Sequence, residues 1–418
     1  MHKGGIRVRI IMFFMTNIAS KILADIEKTR EDQIRFLQKL VQTRSVNPHL
    51  GDPTKSSPYD PIELEVAHLI FNKLKSFGLS PKFEGVSLSR PNVVCELGKG
   101  KKVLIFNGHM DTVPPPAEDD FNPFLGFIQN GKLYGAGTLD MKSSLCSFIY
   151  MARALVRHQR TLKGRVCLQF VIDEEPMAAS HFGTRYLLEK GYLGDAAIVG
   201  EPGTRKITIG NRGGYRFKIE VFGEAVHTGS REWEQKKKGS NAIIAATKVI
   251  AALQNIKLPL RAHPAFPGRK NVVTIPTLIS GGEAINVVPS SCVIFGDVRL
   301  LPGVTRTQVE KEIKRKISGL KLKYKLTPVV YVPPTVIKPT ERIVKILKAS
   351  SKEILKREPL AEGAGPWSDM WMFVERGIPA VNFGCDGGSA HSKNEYVNIQ
   401  SVLDITKIYT LTALEFLS

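Results

Sequence analysis

The chain has 418 residues, yet only five cysteines and three tryptophans. Cys95, Cys146, Cys167, Cys292 and Cys385 are odd in number, widely spaced, and form no Cys-x-x-Cys pair. That pattern argues against a disulfide framework and fits a reducing compartment, so a cytoplasmic protein is expected. Cys146 and Cys167 lie in apolar stretches and read as buried, inert thiols. Long apolar runs are missing too. The run Ile10–Met15 is too short to cross a membrane. Continued through Thr16 and Asn17, it makes a poor signal-peptide core. No membrane association is expected, residues 1–29 read as an N-terminal extension, and Met15 could be the true start. Acidic residues are in deficit, 39 against 59 basic, which leaves a net charge of +20. Such a charge invites a nucleic-acid partner. The basic residues are scattered, however, and their densest runs are Lys236–Lys238 and the Lys311–Lys325 stretch. The latter reads as a helix plus strand, with Val309, Ile313 and Ile317 as its apolar stripe and a solvated basic face. No nucleic-acid partner is expected.

The composition is that of a globular protein, with 43% hydrophobic and 23% charged residues. At about 150 residues per domain the length suggests two or three units. Helical spacing marks Arg30–Val41 and Pro61–Phe77, the second stopped by Gly78. Short β-rich runs follow at Asn92–Glu96, Val103–Phe106, Val166–Ile172, Ala196–Val199 and Ala380–Phe383. Helical patterns such as Met141–Val156 and Thr184–Lys190 lie between several of them. Strands alternating with helices predict an α/β layer on a largely parallel sheet. The middle differs. Strands are expected at Ile207–Ile209, Tyr215–Phe222, Val272–Leu278 and Val293–Arg299, with helices at Asn241–Leu253 and Thr305–Ile317. These suggest a smaller α+β insert over 206–334, left through Pro333-Pro334 and Pro339. It interrupts a main domain of 30–205 and 335–418, in which a helix resumes at Glu341–Leu355.

Polar residues gather at the strand ends. Val103–Phe106 leads to His109 and Asp111, Val166–Ile172 to Glu174 and Glu175, and Ala196–Val199 to Glu201. Ala380–Phe383 leads into a glycine-rich loop ending at His391, and Asp140 precedes an apolar helix. Taken singly, each has a plainer reading: a structural His-x-Asp, a solvated glutamate pair, an aspartate N-cap. In open α/β sheets, however, ligands bind outside the carboxyl ends of strands, so these groups converge on one rim. Imidazole and carboxylate donors suit zinc or a related divalent ion. Five donors exceed what one catalytic zinc uses. Two metals sharing a bridging Asp140 account for the number and would activate water against a carbonyl. Asp111, at i+2 from His109 on an extended segment, could hold the imidazole's other nitrogen. Of the adjacent Glu174 and Glu175, one can ligate while the other stays free as a base.

The segments "GHMDTVP" (Gly108–Pro114), "GAGTLDMK" (Gly135–Lys142), "DEEP" (Asp173–Pro176), "GEP" (Gly200–Pro202) and "GGEAINVVP" (Gly281–Pro289) resemble the M20 metallopeptidase/deacylase family, in family order over roughly residues 30–418. The resemblance implies a catalytic domain with two zinc or cobalt ions, interrupted by a lid domain through which a homodimer forms. It implies His109, Asp140 and Glu201 on one metal and Asp140, Glu175 and His391 on the other. Glu174 is then the general base and Asp111 the partner of His109. His227 becomes the residue that reaches a neighbouring active site and stabilises the oxyanion, and Asn286 and Arg299 the substrate-binding pair. The implied activity is removal of an acyl group from an N-acyl amino acid, of the acetylornithine deacetylase or succinyl-diaminopimelate desuccinylase type. A metallo-dipeptidase or carboxypeptidase is the alternative; an inactive binding protein or a basic nucleic-acid-associated protein would be the non-enzymatic ones. Two segments depart from the family pattern. A longer stretch with Trp233 separates His227 from Gly239-Ser240-Asn241-Ala242. Pro366 and Trp367 stand where small residues are usual, a change that bears on the substrate pocket.

Overall fold

A computed structural model describes residues 19–49, 57–117, 119–157, 162–175, 181–254, 256–259 and 262–418. Ile10–Met15 and Met15 as a start lie outside the described residues, as does Pro176. The chain divides into two compact units: 1–209, 337–362 and 368–418 form the first, 210–336 and 363–367 the second.

In the first unit, residues 19–27, within the expected extension, are helical. Ile22 and Ile26, one helical turn apart, are buried in a cluster with Ala154. Helices α1 (Arg30–Gln42) and α2 (Leu64–Ser76) follow, and Gly78, just past α2, takes the positive φ of a helix stop. Strands β1 (Lys82–Glu84), β2 (Asn92–Gly98), β3 (Val103–His109), β4 (Phe127–Gln129) and β5 (Lys132–Tyr134) come next, then helix α3 (Ser143–Val156). They are succeeded by β6 (Arg165–Val171), α4 (Thr184–Glu189), β7 (Ala196–Val199) and β8 (Lys206–Asn211), which leads into the second unit. The large sheet runs β1-β2-β6-β3-β7, then continues through a strand at Ala380–Asn382 to β8. Its four central strands are parallel, and the flanking ones antiparallel. The α/β fold expected from the strand and helix alternation is therefore present. Strand β3 is buried along its whole length, and its Val103–Phe106 run has the continuous apolar pattern of a parallel strand covered on both faces.

The second unit holds β9 (Gly213–Phe222), the short α5 (Arg231–Glu234), α6 (Ala242–Leu253), β10 (Val272–Gly281), β11 (Ser291–Leu300), α7 (Arg306–Ser318), β12 (Tyr324–Val332) and β13 (Thr335–Val336). Its antiparallel sheet has the order β10-β11-β9-β12. Asn241 caps α6 through Ile243 and Ile244, and Thr305 and Gln308 form a capping box on α7. Ile207–Ile209, expected in this sheet, belongs instead to β8 of the large one, and the fourth strand here is β12. The register of β12 shifts between Pro328 and Val330, and a proline is tolerated because the strand is an edge.

The chain then returns to the first unit as α8 (Arg342–Leu355), β14 (Leu360–Ala364), α9 (Met370–Glu375), β15 (Ala380–Asn382), β16 (Gly387–Gly388), β17 (Tyr396–Asn398) and α10 (Ile399–Phe416). Strands β16, β17, β5 and β4 make a small antiparallel sheet of their own. Among the described residues no helix is long and apolar enough to cross a membrane.

Candidate metal centre

The four central strands β6, β3, β7 and β15 are parallel, so their carboxyl ends share one edge of the sheet. His109 is the last residue of β3, Glu174 and Glu175 follow β6, Glu201 follows β7, and β15 leads to the loop of His391. Asp140 comes from the turn before α3. It does not cap that helix, whose N-cap is Lys142 with no side-chain cap bond; the turn itself is non-helical at Asp140 and left-handed at Gly137. The turn instead pushes the Asp140 carboxylate toward the two histidines.

His109 Nε2 lies 3.1 Å from Asp140 Oδ1, and His391 Nε2 lies 3.2 Å from Asp140 Oδ2. His391 Nε2 is also 3.3 Å from Glu175 Oε1, a buried oxygen with no hydrogen-bond partner. Two donor groups result, His109–Asp140–Glu201 and Asp140–Glu175–His391. Each has its ligating atoms within 4.8 Å of one another, and Asp140 belongs to both.

Charge is compressed here. Burial pushes the Glu201 carboxyl up to about 8, and the nearby Asp140 adds to it. Burial also raises Glu174 well above its ordinary value and raises Glu175. His391 is pushed up to about 11 by the Asp140 and Glu175 carboxylates beside it. Burial alone would lower His109, but the Asp140 bond and the Glu174 charge hold it well above its ordinary value. Carboxylates crowded in this way call for cations between them. The nitrogen and oxygen donors, one carboxylate shared and one buried oxygen unsatisfied, fit a pair of divalent ions.

Asp111 plays a part different from the expected one. His109 Nδ1 meets the backbone carbonyl of Asp111 at 2.9 Å, whereas the carboxylate stands 3.7 Å away. That carboxylate accepts bonds from the backbone N–H of Glu174 (3.2 Å) and Glu175 (3.1 Å) and from Asn47 Nδ2 (2.9 Å). It therefore fixes the turn that carries both glutamates.

Further buried groups, which the sequence reading does not single out, pin the same turns. The Glu395 carboxylate accepts from the N–H of Gly137 (3.0 Å), Leu139 (2.7 Å) and Asp140 (3.0 Å). Arg90, fully buried, pairs with both oxygens of Glu63 at 2.6 and 2.7 Å and reaches Asp173 at 3.4 Å. Glu63 in turn accepts from the N–H of Asp173, beside the glutamates. Neither residue sits in a motif with metal-ligand spacing.

His227, Asn286 and Arg299 all fall in the second unit. Asn286 Nδ2 is 3.2 Å from His227 Nε2, and a bridge pairs His227 with Val287. The Gly229 N–H donates to His227 Nδ1. Arg299 lies on β11, and its Nε donates to Asp297 at 2.7 Å.

The sequence matches the family described as Peptidase family M20/M25/M40 over residues 105–415. The chain belongs to that family. It is a metal-dependent hydrolase of amide bonds. Among its relatives is a succinyl-diaminopimelate desuccinylase of Rickettsia bellii, 29% identical over 81% of this chain and 86% of that protein. Another, from Rickettsia akari, is 29% identical over 90% of this chain and 97% of that protein. The fold is shared with aminopeptidase PepT from Bacillus cereus, at a TM-score of 0.71 and 19% identity over 93% of this chain and 99% of that one. It is also shared with a dinuclear metal-binding peptidase of the M20 family from Bacillus subtilis, at a TM-score of 0.68 and 19% identity over 94% and 99%.

Proposed function

We propose that the chain is a di-metal amidohydrolase that removes an acyl group from an N-acyl amino acid, most nearly a succinyl-diaminopimelate desuccinylase. The observation that carries this reading is the pair of donor groups sharing Asp140. The relatives of that name, matched over most of both chains, point to the substrate. His109, Asp140 and Glu201 would hold one zinc or cobalt ion, and Asp140, Glu175 and His391 the other. Bound there, the ions would supply polarisation of the scissile carbonyl and a water made acidic near neutral pH. Glu174 takes a proton from the attacking water, its raised proton affinity fitting a general base. It then passes the proton to the departing amine. His227, reaching a neighbouring active site, stabilises the carbonyl oxygen as charge develops on it, and Arg299 with Asn286 receives the substrate carboxylate.

A second reading is peptide cleavage, since PepT is an aminopeptidase and the human neighbour of similar fold a carnosine dipeptidase. N-succinyl, N-acetyl and dipeptide substrates, with released amine measured, separate the two. Glu174→Gln should retain two metal ions per chain by metal analysis yet lose about 10²–10⁴ in kcat. A Glu174→Gln protein with both ions and undiminished turnover contradicts the mechanism.

The homodimer belongs to the same proposal and is supported by the second unit. Strand β10 is an edge of its sheet, with Val272, Leu278 and Ile279 exposed. Ile285 and, on α6, Ile244 are exposed as well. An edge strand with exposed apolar residues is what a second copy would cover.

A further inference from the structure

On β9 and β11 of the second unit, Gly214 pairs with Arg299 and Arg216 with Asp297. Residues two apart on a strand share a face, so these four lie together. Asp297 divides its carboxylate between two guanidiniums. Arg299 Nε donates to Oδ2 at 2.7 Å and Arg216 Nε to Oδ1 at 3.2 Å. The Trp367 ring covers the same spot. It lies 4.3 Å from the Arg299 guanidinium and 5.0 Å from that of Arg216. It occupies the place where a side chain at residue 214 would be, since a Cβ there would fall 1.7 Å from the ring. Glycine at 214 and tryptophan at 367 are thus matched.

The charge is unbalanced. Two guanidiniums face one carboxylate, and among the described residues neither has a protein hydrogen-bond partner on its Nη edge. Arg212 and Arg269, both close to Gly365, add charge of the same sign.

We propose that Trp367 and Arg216 complete, with Arg299, a carboxylate-binding site. The indole holds both guanidiniums flat, Asp297 takes their Nε edges, and their outward Nη edges receive one carboxylate of the substrate. This rests on the reading that the substrate carries a carboxylate that Arg299 receives. It adds that an aromatic face at 367 sets the preference for the free acid. Trp367 acts through the arginines and is a positioning residue.

The test uses the full-length, metal-loaded enzyme with an N-succinyl amino acid and its α-carboxamide as a matched pair. Trp367→Leu keeps apolar volume but removes the π face. It should raise KM for the acid roughly tenfold, leave kcat little changed, and leave KM for the carboxamide unmoved. Trp367→Phe should restore most of the preference, and Arg216→Met should act in the same direction as Trp367→Leu. Melting temperatures close to the parent's would show that the variants fold. An unchanged acid-to-amide ratio in Trp367→Leu, or equal losses on both compounds, would overturn the proposal. Arg299→Met separates the two levels. If it abolishes the acid preference while Trp367→Leu does not, only the role of Trp367 fails; if it too leaves the ratio intact, the carboxylate reading of Arg299 fails.

Discussion

Glu395 shows how a residue outside both donor groups can hold the backbone that carries them. It stands four positions after His391, and its carboxylate collects three backbone N–H groups from the turn of Asp140. One side chain therefore ties the His391 loop to the backbone of Asp140, which belongs to both donor groups. Burial pushes its carboxyl up to about 7, with the Asp140 N–H drawing it back down. In Glu395→Gln, one acceptor oxygen becomes an NH₂ group that faces N–H donors. Side chains that orient ligands in this way typically change metal affinity by about 10–100-fold. A loss of that size is expected for Glu395→Gln, read by chelator competition and by the visible spectrum of the cobalt-loaded protein. Parent-like affinity and spectrum would mean the turn holds itself.

At the scale of elements, α2, the start of β2 and the turn after β6 are joined by the Glu63–Arg90–Asp173 group. Glu63 is the residue just before α2, Arg90 precedes β2, and Asp173 follows β6. Both side chains of the Arg90–Glu63 pair are fully buried. Removing one partner of such a pair leaves an uncompensated charge, at a cost of about 3–5 kcal/mol. Arg90→Met should destabilise the protein by that amount in urea denaturation, and adding Glu63→Gln should return part of it. A neutral Arg90→Met would show that water reaches Glu63.

This element scale is also where sequence reading reached its limit. Strands β3, β6, β7 and β15 were legible because burial on both faces makes short runs such as Val103–Phe106 continuously apolar. Helix α7 was legible because Val309, Ile313 and Ile317 repeat at helical spacing, and all three are buried. The convergence of His109, Glu175, Glu201 and His391 followed from strand ends, and that of Asp140 from its place before an apolar helix. Edge strand β12 was legible only at its start, where the Lys311–Lys325 stretch reads as a helix plus strand; beyond it Pro328 marks a register shift that hides the rest. Glu395 and Arg90 were not legible, since their partners are backbone N–H groups or residues distant in sequence, and such partners leave no spacing to read. Asp111 shows the finer limit. Its i+2 spacing correctly placed it beside His109, but only coordinates reveal that its carboxylate serves Glu174 and Glu175 instead.

At the scale of the whole molecule, the two units differ in what they depend on. Both donor groups found among the described residues lie in the first unit. The second has its own apolar cluster, from Tyr215 on β9 through Ala246 on α6 to Ile317 on α7, drawn entirely from residues 210–336. A metal that binds only the folded first unit stabilises it by mass action. Histidines and carboxylates that hold protons must release them as the ions enter. Chelation should therefore lower the melting temperature of the full chain, and returning zinc should both restore it and release protons into weak buffer. The segment 210–336, made alone, should instead melt cooperatively at a temperature indifferent to chelator. It also carries the exposed β10 edge and Ile244, so it should sediment as a dimer. A monomeric segment would remove the proposed dimer surface, and an unfolded one would show that its cluster needs the rest of the chain.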